Sequence, residues 1–173
     1  MTKPKNDLTA EAVRRLFIYD PYSGLLQYRE RGPRRPRGWF AGAKDPKSGY
    51  LRVQVGLRKY LVARLAWLWM TGRWPKDDVD HIDLDRANNR WANLRDATRA
   101  QNVVNSERRT TNKSGFKGVT FKHGRGHLPA WRATIRAEGR YVHLGYFPTP
   151  EEASQAYETA AQQAFGDYYR RLH

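Results

Sequence analysis

The stretch Val79-Asp80-His81-Ile82-Asp83, followed by Asn88-Asn89-Arg90-Trp91-Ala92-Asn93-Leu94 and then Gln101-Asn102, constrains this chain more than any other. Val79 to Ile82 has the composition of a short strand, Asp83 to Arg90 that of a polar loop, and Asn93-Leu94-Arg95 that of a return strand. Thr98 with Gln101 forms a capping box, so a helix starts there and carries Asn102 on its first turns. The expected order is strand, loop, strand, helix. Within it, one aspartate, one histidine and two carboxamides stand at intervals that suit a one-metal phosphodiesterase site. Imidazole exchanges a proton near neutral pH, and carboxylate and amide oxygens suit a hard divalent cation.

Bulk charge points to a polyanionic partner. The 173 residues carry a net charge of +15, and neutralising phosphates releases the counterions condensed on nucleic acid. The length allows one ordinary domain or two small ones. Six Trp, ten Tyr and six Phe help a small core bury enough surface. With no Cys, disulfide frameworks and thiolate zinc sites are excluded, and a cytoplasmic protein is the expectation. The segment Met1 to Asp7 lacks the apolar core of a signal peptide. Leu61 to Met70, the longest apolar run, is broken by Arg64 and is too short to span a bilayer, so no membrane partner is expected.

Elsewhere, Thr9 is a candidate N-cap for a helix from about Ala10 to Phe17, and Leu25 to Tyr28 reads as a strand after the turn Asp20-Pro21-Tyr22-Ser23-Gly24. Arg29 to Gly38 is a Pro/Gly-broken basic loop whose role stays open between a solvated loop and an arm along DNA. Gly49 to Val55 should pair with Lys59-Tyr60-Leu61, and Val62, Leu65, Leu68 and Trp69 recur at helical spacing up to Gly72. Glu107 to Asn112 is polar and suits a linker. Beyond it, Gly118 to Phe121, Trp131 to Arg136 and Tyr141 to Gly145 read as three strands, and Thr149-Pro150-Glu151-Glu152 opens a helix that runs to Gly166. His123 and His127, split by Gly124-Arg125-Gly126, are expected at a hairpin tip and not as a metal pair.

Two stretches resemble known modules. Tyr60 to Asn105 resembles the HNH endonucleases with their ββα-metal site, through Asp80-His81-Ile82-Asp83, Asn88-Asn89-Arg90, Asn93-Leu94-Arg95 and Gln101-Asn102. Ser114 to Tyr168 resembles AP2/ERF-type DNA-binding domains, through Ser114-Gly115-Phe116-Lys117-Gly118-Val119, Trp131 to Ile135, His143-Leu144-Gly145-Tyr146-Phe147 and Glu151 to Tyr157. Together they are similar to phage-type HNH homing endonucleases. The implied fold is α+β: a ββα-metal HNH module followed by a three-stranded antiparallel sheet packed on one helix. The implied boundaries are an N-terminal segment 1–60, a nuclease module 61–107, a linker 108–113 and an AP2-like domain 114–173.

The resemblance implies roles residue by residue. Asp80 and Asn102 would hold one Mg²⁺ or Mn²⁺, His81 would be the general base, and Asn93 would hold its ring. By their own chemistry, Asp83 reads as a loop carboxylate in preference to an outer-sphere metal partner, Asn88 and Asn89 shape the turn between strands, and Asn105 ends the helix. Lys117, Thr120, Lys122, Arg132, Thr134, Arg136, Tyr141 and His143 would face double-stranded DNA. Departures are Ala63, where related sequences often carry His, and Tyr141 and His143, where plant AP2 domains more often carry Arg and Trp. The implied protein is a site-preferring endonuclease with no protein partner, a monomer that nicks in preference to a dimer that cuts both strands. Its rivals are a DNA-binding transcriptional regulator with an inactive nuclease half and an RNA-directed enzyme.

Overall fold

The structure is a computed structural model that describes residues 7–32, 37–106, 112–122 and 130–169. Most of the expected linker, the histidines 123 and 127, and the middle of the basic loop lie outside these. The chain divides into two compact units, Met1–Ala97 and Thr98–His173. The division falls earlier than the sequence boundary and groups the helix bearing Asn102 with the second unit.

The first unit is mixed α/β with small antiparallel sheets. Thr9 caps α1 (Ala10–Leu16) by accepting the Ala12 N–H at 3.2 Å. Phe17, expected as the last helical residue, instead opens β1 (Phe17–Tyr19), which pairs with β2 (Leu26–Tyr28). The extended backbone at Phe17 lets both it and Tyr19 point into the core, with Ile18 between them turned outward. β3 (Ala43–Lys44), β4 (Leu51–Val55) and β5 (Arg58–Leu61) form a sheet in that order, with Val53 opposite Tyr60.

β5 runs straight into α2 (Val62–Thr71), which ends at Gly72 with φ 76°, a left-handed cap whose N–H bonds the Leu68 carbonyl. Val62, Leu65 and Leu68 are fully buried with Val13 and Phe17, and form the centre of this core. β6 (Asp78–His81) and β7 (Leu94–Ala97) form a two-stranded sheet packed on it through Val79 and Leu94.

In the second unit, α3 (Arg99–Asn105) begins with the expected capping box between Thr98 and Gln101. β8 (Val119–Lys122), β9 (Ala130–Ala137) and β10 (Arg140–Phe147) form an antiparallel sheet with β9 in the middle. One face packs on α4 (Pro150–Phe165) through Val119, Ala133, Ile135, Ala153, Tyr157 and Ala161. The small residues of α4 let the helix lie close to the sheet. Gly118 fits the same logic: at φ 72°, a Cβ there would lie 2.2 Å from the Tyr157 ring. Among the described residues, no helix is long and apolar enough to cross a membrane.

Candidate active site and nucleic-acid interface

Asp80 and His81 lie on β6 at 3% and 4% exposure. The register sets Asp80 opposite Arg95, whose Nε and Nη2 both donate to Asp80 Oδ2 at 2.8 Å. Leaving a carboxylate this buried without a cation would be costly, so Arg95 is what makes Asp80 tolerable at this depth. His81 is the last residue of the strand, 5.7 Å from the Tyr50 ring between centroids. Its Nε2 lies 3.1 Å from Asn89 Oδ1. Asn89 Nδ2 donates to the Ala87 carbonyl at 3.2 Å, which orients the amide with its oxygen toward the imidazole. With the amide so oriented, the contact suits the tautomer in which Nε2 donates to Asn89 Oδ1. Burial holds the His81 pKa below its ordinary 6.5, against the opposing pull of the Asn89 bond and of Asp80.

Asn93, expected to hold the imidazole, does something else. Its Nδ2 donates to Asp83 Oδ1 and to the Asn88 carbonyl, both at 2.8 Å, and its Oδ1 accepts the Asp83 N–H at 3.0 Å. Asn93 sits at the foot of the loop, in a one-turn 3-10 helix entering β7, so its amide spans the loop's mouth. Asn89, and not Asn93, meets the ring. Asp83 is a loop carboxylate, as expected: Asn88 Nδ2 and the Asp85 N–H also bond it. Burial pushes its pKa up, but the bonds from Asn88, Asn93 and Asp85 outweigh that and hold it below the usual range.

The N-terminal segment braces this loop. Tyr19 Oη donates to the Asn89 carbonyl at 2.6 Å, the Trp91 N–H to the Pro21 carbonyl at 2.9 Å, and Arg90 Nε to the Tyr22 carbonyl at 3.1 Å. Asn89 is 2% exposed as a result. Sequence reading placed Asn89 only in the turn and gave Tyr19 no role. The Asn88-Asn89 doublet was a visible signal for the first, whereas contacts across such a sequence separation leave none for the second.

In the second unit, Asn102 lies half-buried on α3, its N–H on the Thr98 carbonyl at 3.0 Å. Asn105 is the last residue of that helix and is buried. The sheet face away from α4 carries Thr120 opposite Arg132, His143 opposite Thr134, and Tyr141 opposite Arg136, with Lys122 exposed at the end of β8. The Arg136 guanidinium lies 5.6 Å over the Tyr141 ring. A register shift between His143 and Gly145 brings Tyr146 opposite Arg132, onto this same face, which strict alternation hides. Its ring meets His143 edge-on at 4.8 Å.

Lys117, expected among the DNA contacts, is engaged elsewhere. Its Nζ donates to the carbonyls of Val103, Val104 and Ser106 at 2.9, 2.6 and 2.6 Å. Burial pushes this amine down to about 8. It sits in the turn before β8, so its side chain lies beyond the strand pairing that orders the other seven positions.

The segment that builds the Asp80–His81 strand pair and α3 is also the one that matches a known family. Residues 60–104 match the family model described as HNH endonuclease. Over this segment the chain is similar to the HNH endonucleases. Asp80, His81, Asn89, Asn93 and Asn102 all fall inside this HNH match. Uncharacterized HNH endonuclease L560 of Acanthamoeba polyphaga mimivirus is 33% identical to the chain over 132 residues, covering 75% of this chain and 64% of that protein. The chain thus spans less than two thirds of that relative's length. No solved structure matches it.

Among the described residues no three His, Asp or Glu side chains converge as a metal-binding group. The HNH match holds several carboxylates and amides, Asp80 on β6 and Asn102 on α3 among them. Hard oxygen donors fit Mg²⁺ or Mn²⁺, an ion that keeps much of its shell for water and phosphate.

Proposed function

We propose that this chain is a metal-dependent DNA endonuclease that prefers particular sites, as homing endonucleases do. It comprises a nuclease module over 61–107 and a DNA-binding, AP2-like domain over 114–173, joined through 108–113. The observation that carries this reading is a buried imidazole beside a buried carboxylate, inside the HNH match and with Nε2 on the Asn89 amide oxygen.

In this reading Asp80 and Asn102 hold one Mg²⁺ or Mn²⁺, which when bound neutralises charge developing on the phosphate and the departing 3′ oxygen. His81 Nδ1 takes the proton of the attacking water, and Asn89 keeps that nitrogen unprotonated by accepting from Nε2. Asn93 acts through the loop, fixing the position of Asp83 and Asn88. The module acts as a monomer and nicks one strand. Thr120, Lys122, Arg132, Thr134, Arg136, Tyr141, His143 and Tyr146 face the duplex, and the +15 charge supplies sequence-independent affinity.

Three results are expected. Asn89→Ala lowers the single-turnover cleavage rate roughly 10- to 100-fold with duplex affinity unchanged, because the ring loses its orienting partner. A ¹⁵N spectrum of the imidazole should show the Nε2-protonated tautomer giving way to a mixture; an unchanged tautomer would contradict the assignment. For pH, the neutral base is the active form and its folded pKa lies below 6.5. The rate should therefore persist as pH falls through 6.5 and decline only below it, whereas a profile breaking above 6.5 would point to another group. Arg136→Ala should cost about 1–3 kcal/mol at a selected site if it contacts a base, or reduce the salt slope by about one if it contacts phosphate. Fluorescence anisotropy across a salt series with chelator present separates these, and no change in either removes Arg136 from the interface.

A further inference from the structure

We infer that Lys117 is a positioning residue that locks helix α3, the segment carrying Asn102, to the sheet-and-helix body of the second unit, and is not a DNA contact. α3 has seven residues, too few to be stable alone, and it has no basic residue in its last turn to meet its terminal carbonyls. Lys117 supplies that cation from the turn ahead of β8, and its three N–H groups meet the carbonyls of Val103, Val104 and Ser106. An ammonium has three donors, so none remains for a phosphate while this geometry holds.

The anchor is itself rigid. Ser114 Oγ accepts the Phe116 N–H and lies within reach of Asn112 Oδ1 and the Phe116 and Val119 carbonyls, which share its single proton and close the turn around Lys117. Next to it, Gly118 packs where a Cβ would meet the Tyr157 ring and the Thr134 carbonyl, and its own carbonyl accepts the Thr134 N–H at 2.9 Å. Val104 packs with Ile135, Tyr157 and Ala161 on the same side of α3. The depressed Lys117 pKa agrees with an amine drawn out of water. α3 is thus held at its start by the Thr98 capping box and at its end by Lys117, with Asn102 between.

The effect on cleavage rests on Asn102 being a metal ligand as proposed above; the lock itself does not. In the full chain, Lys117→Met should speed hydrogen exchange of the Asn102 to Asn105 amides about tenfold or more, as the helix opens locally. Affinity for a random-sequence duplex in chelator, and its salt slope, should stay as in the wild type. The Mn²⁺ concentration for half-maximal cleavage should rise severalfold. Unchanged α3 exchange with a salt slope reduced by about one would overturn the inference and make Lys117 a phosphate contact. Should the variant fail to fold, the Lys117 Nζ protons in the wild type decide: slow exchange without DNA supports the lock, and rapid exchange overturns it. If the wild type cuts no DNA, the nuclease reading fails, while exchange and salt slope still decide the role of Lys117.

Discussion

His81→Ala should lower the single-turnover cleavage rate by roughly 10²–10⁴-fold while leaving duplex affinity within about twofold. His81 is the proposed base, and its surroundings favour the neutral form. Burial depresses its pKa, and Nε2 lies on the Asn89 amide oxygen. Removing it takes away the base without removing a charge at neutral pH, so phosphate affinity has no reason to change. Asn93→Ala provides the contrast. It breaks the bonds to Asp83 and Asn88 that close the loop, so its cost should appear in stability as well as rate. If His81→Ala cuts as fast as the wild type, the base lies elsewhere and the site assignment fails.

Gly24→Ala should produce the largest effect of any single methyl in the first unit. Gly24 has φ 76°, and a Cβ there would lie 2.4 Å from both the Asn89 carbonyl carbon and the Arg90 nitrogen. These are backbone atoms that cannot rotate away, so the loop at 89–91 must move. Strain at positive φ and the forced displacement together should destabilise the unit by roughly 3 kcal/mol. The rate should fall further than lost folded protein explains, because Asn89 moves relative to His81. Gly56→Ala is the control: φ is 59° there and nothing lies within 4 Å, so only the backbone term applies. Thermal unfolding and cleavage by both variants check this, and equal behaviour of the two would refute the brace.

Local chemistry made much of this legible in advance. The Thr98–Gln101 capping box, the Gly72 cap, the pairing of β4 with β5 and the alternation of β9 depend on neighbours a few residues apart and stand as read, whereas at α4 only the Thr149 half of the expected box is made. The failures have one cause, a partner distant in sequence. Tyr19 reaches Asn89, Lys117 turns back to α3, and Phe17 leaves its helix to fill the core beside Val62 and Leu65. The Leu144 bulge is a special case, since one extra residue flips Tyr146 to the outward face and no periodicity announces it. The same limit explains Asn93 and Asn89: spacing identified both amides, but which one meets the imidazole depends on how the loop closes.

Incubation of the wild-type chain with supercoiled DNA carrying candidate target sequences, with Mg²⁺ or Mn²⁺ against chelator, tests the central claim most directly. Metal-dependent conversion to nicked circles, absent in chelator and in the His81→Ala protein that still binds, is the predicted result. DNA bound in every lane and cut in none would contradict the account and leave a DNA-binding regulator as the better description of the chain.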